Sequence, residues 1–430
     1  MIKSTSFYDK IAHLSGTKRS IIVWAMCLLS TSFFFYEYII LIQPSVMHTE
    51  LASYFSITNA STWGTLIGAY YFTYTPMQIF SGAITDAFGP RKCLSAAAFI
   101  CALGMLLFTI TPYYYVAMMG RLLIGFGASF AFVGAMRLAV VWLPARRIAL
   151  FSGLTLSIAM LGAVVGSSLI AELMMVFSGY TILLLSVAVG AILAVLLWWF
   201  VADDFQFSQT QSTGESSARQ SILSGIIQVI QYRQIWYTGF VGCLIYVTYA
   251  AIGLLWGVPF LQVVYHFDHV TAAHLVAWIF IGGLVGTPMI GWLSDQLQNR
   301  KAPFLIGALA NLVLLVIFIY YPIENLYIVT ILLGLMGFFA GANALSFVIA
   351  RECCSAKIAG TAISFVNMIV MLSGLIFQPV IGVLLDFFSQ STQPENGLIG
   401  YGVVDYQQAF SIMPIGLLIS IVVGYYLIRR

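Results

Sequence analysis

The sequence predicts an all-α membrane protein: twelve transmembrane helices in two six-helix bundles, with both termini in the cytoplasm. Three observations carry that prediction. The chain is 61% hydrophobic and 8% charged, with mean hydropathy +0.98, whereas soluble chains carry about a quarter charged residues. It offers twelve apolar runs, near 20–46, 62–82, 92–111, 114–142, 148–176, 179–202, 234–260, 272–292, 303–321, 325–350, 358–386 and 407–428. Each approaches the ~20 residues needed to cross a ~30 Å hydrocarbon core. Finally, GAITDAFGPRK, from Gly82 to Lys92, recurs 209 positions later as GWLSDQLQNRK, from Gly291 to Lys301. The copies share Gly82/Gly291, Asp86/Asp295, Arg91/Arg300 and Lys92/Lys301 in register, so the halves read as tandem repeats.

Basic residues set the orientation. Sixteen of the 18 Lys and Arg fall before the first span or in loops on that same side: Lys3, Lys10, Lys18, Arg19, Arg91, Lys92, Arg146, Arg147, Arg219, Arg233, Arg300, Lys301, Arg351, Lys357, Arg429 and Arg430. The positive-inside rule makes that side cytoplasmic. The net charge of +3 thus reflects topology and gives no reason to invoke nucleic acid. The first run is too long for a signal-peptide core and lacks a small-residue cleavage site, so it reads as a retained helix. Polar residues 203–218 separate the halves, and Ile222, Leu223, Ile226, Ile227 and Ile230 follow at the spacing of a short helix lying on the membrane surface. The expected division is therefore 1–202, a linker at 203–233, and 234–430. The six cysteines lie in spans or at their cytoplasmic ends, which argues against a structural disulfide, and Cys353–Cys354 lacks a partner pair at zinc spacing. No cofactor or metal is expected.

Taken in order, span 1 places Glu37 deep in FFFYEYIILIQPSVM, beside Tyr36 and Tyr38, and Pro44 is expected to bend its outer end. A carboxylate at that depth faces a partner or a wet cavity, unless it snorkels to the interface. Span 2 sets Trp63, Ile67, Tyr70, Tyr74 and Gln78 on one helical face, a stripe suited to a polar cavity wall, with interhelical packing as the plainer reading. Span 4 contains two basic residues, Arg121 and Arg137. Arg121 and Glu37 both fall roughly 10–13 Å below the outer surface at 1.5 Å per residue. Arg137 lies near the cytoplasmic end, as an anchor or inner-gate residue. Span 5 has Gly162 and Gly166 followed by Ser167. In span 7, Tyr246, Tyr249, Gly253, Trp256 and Phe260 share a face. The loop after it gathers His266, Asp268, His269 and His274, with a solvated loop the ordinary reading and a metal site or proton antenna the sharper one. Span 10 adds Asn343, and span 11 sets Asn367, Met371, Gly374 and Gln378 on one stripe. Asp386, where span 11 leaves the membrane, needs no special role.

The G-x-x-x-D-x-x-x-x-R-K stretches resemble the signature of the loop between helices 2 and 3 of the major facilitator superfamily, echoed in its loop 8–9. The first copy, with Gly89, is the better match. Arg121 ahead of Gly125 and Gly127 resembles the family's fourth-helix motif. The resemblance covers nearly the whole chain and implies alternating access, with two bundles rocking around a central site. It also places helices 1 and 4 side by side around the cavity, which implies that Glu37 and Arg121 meet, as a functional or a purely structural pair. Asp86, Arg91 and Lys92 would act as a cytoplasmic latch, Asp86 engaging the start of span 11 near Lys357 to Gly360, where a helix N-terminus favours a carboxylate. The gating set expected on this basis is Gly82, Asp86, Gly89, Arg91, Lys92, Arg137, Gly291, Asp295, Arg300 and Lys301. FYEYIILIQPSVM and YYFTYTPMQ are similar to a bacterial branch of uptake carriers, some members of which are linked to carboxylate-type siderophores. Lysosomal dipeptide carriers are more distantly similar.

The expected function is proton-coupled uptake across a bacterial inner membrane of a small polar or anionic organic solute: a carboxylate, carboxylate siderophore, amino acid or peptide. Glu37 would carry the proton, with Arg121 bound to it or to substrate. Tyr36, Trp63, Tyr70, Tyr74, Gln78, Arg121, Tyr246, Tyr249, Trp256, Asn343, Asn367 and Gln378 would line the substrate site. The chain is expected to act as a monomer in the bilayer. A proton-driven exporter is the rival within transport, although Ser167 stands where many exporters of the superfamily have proline. A transport-dead nutrient sensor keeps the same fold. A membrane-embedded enzyme would need a catalytic set at one depth, and no G-x-x-x-x-G-K-[ST] supports ATP coupling.

Overall fold

A computed structural model describes residues 16–202, 226–355, 358–389 and 400–428. Every regular element among them is helical. The expected runs appear as α1 (Gly16–Val46), α2 (Ala60–Phe88), α3 (Pro90–Ile110), α4 (Tyr114–Trp142), α5 (Ala145–Leu173), α6 (Gly179–Phe200), α7 (Arg233–Val264), α8 (His269–Gln296), α9 (Lys301–Tyr320), α10 (Leu326–Glu352), α11 (Ala359–Phe388) and α12 (Val403–Leu427). Eleven are long and apolar enough to cross a membrane; α2, with its threonines, serines and tyrosines, is the helix outside that set. Lys3, Lys10, the linker 203–218, Arg219, Ile222, Leu223, Lys357, Arg429 and Arg430 lie outside the described residues. Of the expected surface helix, residues 226–231 are helical, with Val229 buried and Ile227 and Ile230 exposed.

Large apolar side chains cover the outer faces. Phe72, Phe80, Phe99, Ile192 and Trp199 are exposed, as a lipid-facing surface requires. Close helix approach inside rests on small residues. A Cβ on Gly337 would run into the Ile279 carbonyl, and one on Gly282 into the Gly334 carbonyl, which fixes α8 against α10.

Prolines and one wide turn free backbone carbonyls for bonds between helices. Pro259 has no N–H for the Leu255 carbonyl, and the Ser45 hydroxyl donates to that oxygen instead, at 3.0 Å. Between Thr248 and Trp256, α7 winds as a π-helix. Within that stretch the Ala250 carbonyl accepts from Gln378 Nε2 at 2.8 Å, and Trp256 Nε1 donates to the Gln378 carbonyl at 3.1 Å.

These bonds lie at the end of the molecule opposite the basic loops, where α1 and α2 meet α7 and α11. The α2–α11 contact there is tight. A Cβ on Gly64 would strike the Gln378 carbonyl, one on Gly382 the Ala60 carbonyl, and one on Gly374 the Tyr71 ring. His48 closes the same end. Its ring stands edge-on to Trp63 at 5.0 Å and 6.4 Å from Trp256, with Nε2 buried and unpaired. Across α5 and α8, Glu172 meets His274 at 3.4 Å.

Two outcomes follow from this packing. Gly337→Leu should lower the unfolding midpoint in detergent by about 3 °C or more, since overpacking costs about 1–3 kcal/mol. Gly153→Ala, where a Cβ meets nothing, should not. Burial, with His269 nearby as a second cause, pushes the His48 pKa down to about 4. The packed state therefore favours neutral imidazole, and the His48 contribution is lost as pH falls from about 6.5 toward 4. Between pH 7 and pH 5 wild type should lose up to about 2 kcal/mol that His48→Phe does not lose, read from unfolding midpoints at the two pH values.

Candidate functional site

Glu37 lies on α1 among aromatic residues of α2. It is 1% exposed, and its Oε1 accepts from the Tyr70 hydroxyl at 2.6 Å. Its other oxygen, Oε2, is buried without a partner. Tyr74 stacks on Tyr70 at 5.0 Å, and Tyr71 stands edge-on to Tyr70 at 5.0 Å. From the other half, Tyr246 comes within hydrogen-bonding reach of Tyr38. Tyr38 and Tyr246 are the partly exposed members of this group.

Arg121 is also 1% exposed. Its guanidinium lies 5.5 Å from the Tyr70 ring centre, and it donates to the carbonyls of Ile67 at 3.2 Å and Ile40 at 3.5 Å. The local sequence explains the second acceptor. Pro44 cannot donate to Ile40, four residues earlier, so that carbonyl is left for Arg121. Gly125, one turn beyond Arg121, lets α4 approach α2, since a Cβ there would strike the Tyr70 carbonyl. Among the described residues there are four ion pairs, and Glu37 and Arg121 are in none of them. The expected direct meeting is replaced by a bridge: Tyr70 gives its hydroxyl to the carboxylate and its ring face to the guanidinium. Arg121 Nε and the Tyr71 hydroxyl, like Glu37 Oε2, are buried without partners. Such orphans are uncommon in a settled interior.

The other expected substrate residues divide into two sets. Gln78 and Asn367 join across α2 and α11, Asn367 Nδ2 donating to Gln78 Oε1 at 3.0 Å. Tyr36 turns away from the cluster, and its hydroxyl donates to the Ser186 carbonyl at 2.9 Å. Tyr249 donates to the Gly337 carbonyl at 2.6 Å and stacks on Phe280. Trp256 and Gln378 bond to each other's helix, Trp63 packs on His48, and Asn343 bonds Ser346 within α10. Sequence reasoning missed Tyr71, one step off the expected stripe, and left Tyr38 out of the substrate set. In the loop before α8, Asp268 caps the helix, accepting from Thr271 N at 3.0 Å, and His274 pairs with Glu172. No group of three metal-type side chains forms among the described residues.

At the basic end, Asp86 pairs with Arg137 at 2.9 Å, within the first half. Arg91 donates to the Trp198 carbonyl at 2.7 Å and lies over the Trp198 ring at 4.9 Å. The second copy behaves alike. Arg300 bonds Asp295, Ser294 and Glu352, and Lys301 donates to the Tyr425 carbonyl at 2.6 Å. Gly89, at φ 84°, makes the turn into Pro90, and Lys92 is exposed. A Cβ on Gly291 or Gly360 would meet nothing, and one on Gly82 only Val133 at 3.9 Å. Among the described residues, Asp86 thus pairs with Arg137 and not with the start of α11.

Comparison with known proteins agrees with this architecture. The family model described as Major Facilitator Superfamily matches residues 23–378 and again 258–430. A probable sulfoacetate transporter of Cupriavidus necator, SauU, is 24% identical over 406 residues, 90% of this chain and 92% of that protein. The membrane sensor protein UhpC of Escherichia coli is 30% identical over 169 residues, 39% of this chain and 38% of the sensor. In solved structures, a bacterial homologue of the human lysosomal transporter Spinster, inward-facing and occupied, superposes with TM-score 0.75 at 14% identity, covering 96% of this chain and 97% of that one. The nucleoside transporter NupG superposes with TM-score 0.70 at 13% identity, covering 94% and 100%. With the loop motif present twice, helices throughout and a family match along nearly its whole length, the chain belongs to the major facilitator superfamily.

Proposed function

We propose that the chain is a twelve-span secondary transporter of a bacterial inner membrane, with cytoplasmic termini, that couples proton entry to uptake of a small polar or anionic organic solute. One observation carries this reading: a buried carboxylate, Glu37, with one oxygen unpaired, tied through Tyr70 to a buried guanidinium, Arg121, that forms no ion pair among the described residues. Residues 1–202 and 234–430 form the two moving bundles, joined by 203–233. The basic end is cytoplasmic by the positive-inside rule, so the sealed opposite end faces outward and this state is open inward. The likeness to a probable sulfoacetate transporter over most of both chains favours the anionic side of the substrate range.

Tyr70 supplies the coupling. While Glu37 is ionised, it draws the Tyr70 hydroxyl and keeps the ring on Arg121. A proton on Glu37 removes that pull and frees the hydroxyl, leaving Arg121 as the net charge beside the cluster. An anionic solute is favoured next to Arg121 in that protonated state, so proton and solute move together. Tyr74, Tyr71, Tyr38 and Tyr246 supply rings and hydroxyls around it, with Gln78 and Asn367 below. Tyr36, Tyr249 and Asn343 serve packing. The two-fifths overlap with a membrane sensor supports a second reading, a transport-dead sensor, and counterflow separates the two.

In proteoliposomes with an entrapped pH dye, one solute class among two-carbon sulfonates, di- and tricarboxylates, amino acids, dipeptides and a carboxylate siderophore should acidify the lumen. Glu37→Gln should abolish that acidification yet keep counterflow exchange; acidification that persists in the variant sinks Glu37 as the proton carrier. Binding without counterflow for every class would favour the sensor. Tyr70→Phe removes a charge-assisted hydrogen bond, of a kind contributing about 1.5–3 kcal/mol. It should lower proton-driven uptake by about 10- to 100-fold, and counterflow less.

A further inference from the structure

At the sealed end, α11 caps α2. Ala60 N donates to Asp386 Oδ1 at 2.9 Å and Ser61 N to Asp386 Oδ2 at 2.9 Å. The Tyr401 hydroxyl also bonds Asp386 while accepting from Ala60 N at 2.7 Å. Asn59, in the capping position of α2, makes no side-chain cap. The first N–H groups of α2 therefore depend on a carboxylate from the other half. A negative charge there is also favoured by the helix dipole.

Asp386 stands in α11 as Asp86 stands in α2. Gly82–Phe88 reads GAITDAF and Gly382–Phe388 reads GVLLDFF, with glycine, aspartate and terminal phenylalanine in the same register. Both helices end at that phenylalanine. The two helices run antiparallel, so by register each aspartate stands level with the other helix's first turn, at opposite ends of the molecule. In this state only one of those junctions is made. Asp386 holds α2, whereas Asp86 is on Arg137 and Gly360, in the first turn of α11, faces open space.

We propose that Asp386 is a second gating residue, the outer-end counterpart of Asp86, which holds the inward-open state by capping α2 and must let go before Asp86 can cap α11. The proposal rests on the alternating-access reading above, and it makes the two carboxylates reciprocal. Hydrogen exchange of the purified full chain in detergent tests it without substrate. Asp386→Asn should speed exchange over residues 58–66 by about tenfold, the usual scale of a lost cap, and slow it over 82–90 and 358–364. Asp86→Asn should leave 58–66 as protected as in wild type. Tyr401→Phe should act in the same direction as Asp386→Asn, more weakly, and carries the test should Asp386→Asn fail to fold. Faster exchange at both ends marks simple loosening and overturns the proposal, as does unchanged exchange at 58–66. Reciprocal exchange without Glu37-dependent uptake would keep the latch and remove the coupling scheme. Uptake that depends on Glu37 without reciprocal exchange would do the reverse.

Discussion

Tyr70 holds the centre of the structure together because it serves two buried charges that do not touch. Burying a carboxylate and a guanidinium in a membrane interior costs several kcal/mol each unless both are compensated. A direct salt bridge would compensate both but would also tie them to each other. Here the carboxylate takes a phenol hydroxyl, at 2.6 Å, and the guanidinium takes a ring face and two backbone carbonyls. Each charge is stabilised incompletely, as the unpaired Glu37 Oε2 and Arg121 Nε show. An incompletely stabilised pair responds to a proton or a charged solute more readily than a closed ion pair does.

The acceptors for this arrangement come from broken helix ladders. Pro44 leaves Ile40 to Arg121, Pro259 leaves Leu255 to Ser45, and the π-helical stretch of α7 offers Ala250 to Gln378. In a membrane interior an unbonded carbonyl has no water to turn to, so each must find a side chain. Backbone irregularities thus determine which side chains tie neighbouring helices together, and at Ser45–Leu255 the two halves, and polar residues gather where a proline or wide turn has left something to bind.

Legibility followed the same physics. The apolar runs, the loop repeat and the two deep charges could be read from sequence because each is set by local composition. The direct Glu37–Arg121 meeting could not be judged, since it depends on a carbonyl freed by Pro44 on another helix. The face assigned to α7 holds only in part, for a related reason. A count at 100° per residue groups Tyr246, Tyr249 and Trp256. The rings of Tyr246 and Tyr249 do meet, 5.5 Å apart, but the π-helical winding from Thr248 to Trp256 separates Tyr249 from Trp256, which bonds the Gln378 carbonyl. In α1, aromatic residues surround Glu37 on all sides, so nothing local distinguished Tyr36, which packs on α6, from Tyr38, which faces Tyr246. Asp386 resembled an ordinary interface charge because its partners are the backbone N–H groups of α2, and backbone donors leave no mark in a sequence.

The proposed rocking of the two halves accounts for small residues along the whole α2–α11 contact and not only at the sealed end. At one end Gly64 and Gly382 leave no room for a Cβ, and at the other Gly82 and Gly360 have room to spare. Glycines in open space contribute nothing to this packing and, within a helix, each costs about 1 kcal/mol relative to alanine. That cost is offset if the open end also closes, bringing Gly82 and Gly360 into the close approach that Gly64 and Gly382 now make. Between them, Tyr71 on Gly374 and Gln78 on Asn367 span the middle of the contact. On the proposed alternating access, a lever pivoting there would keep its central contacts and exchange its ends, with the aromatic cluster around Glu37 beside the pivot.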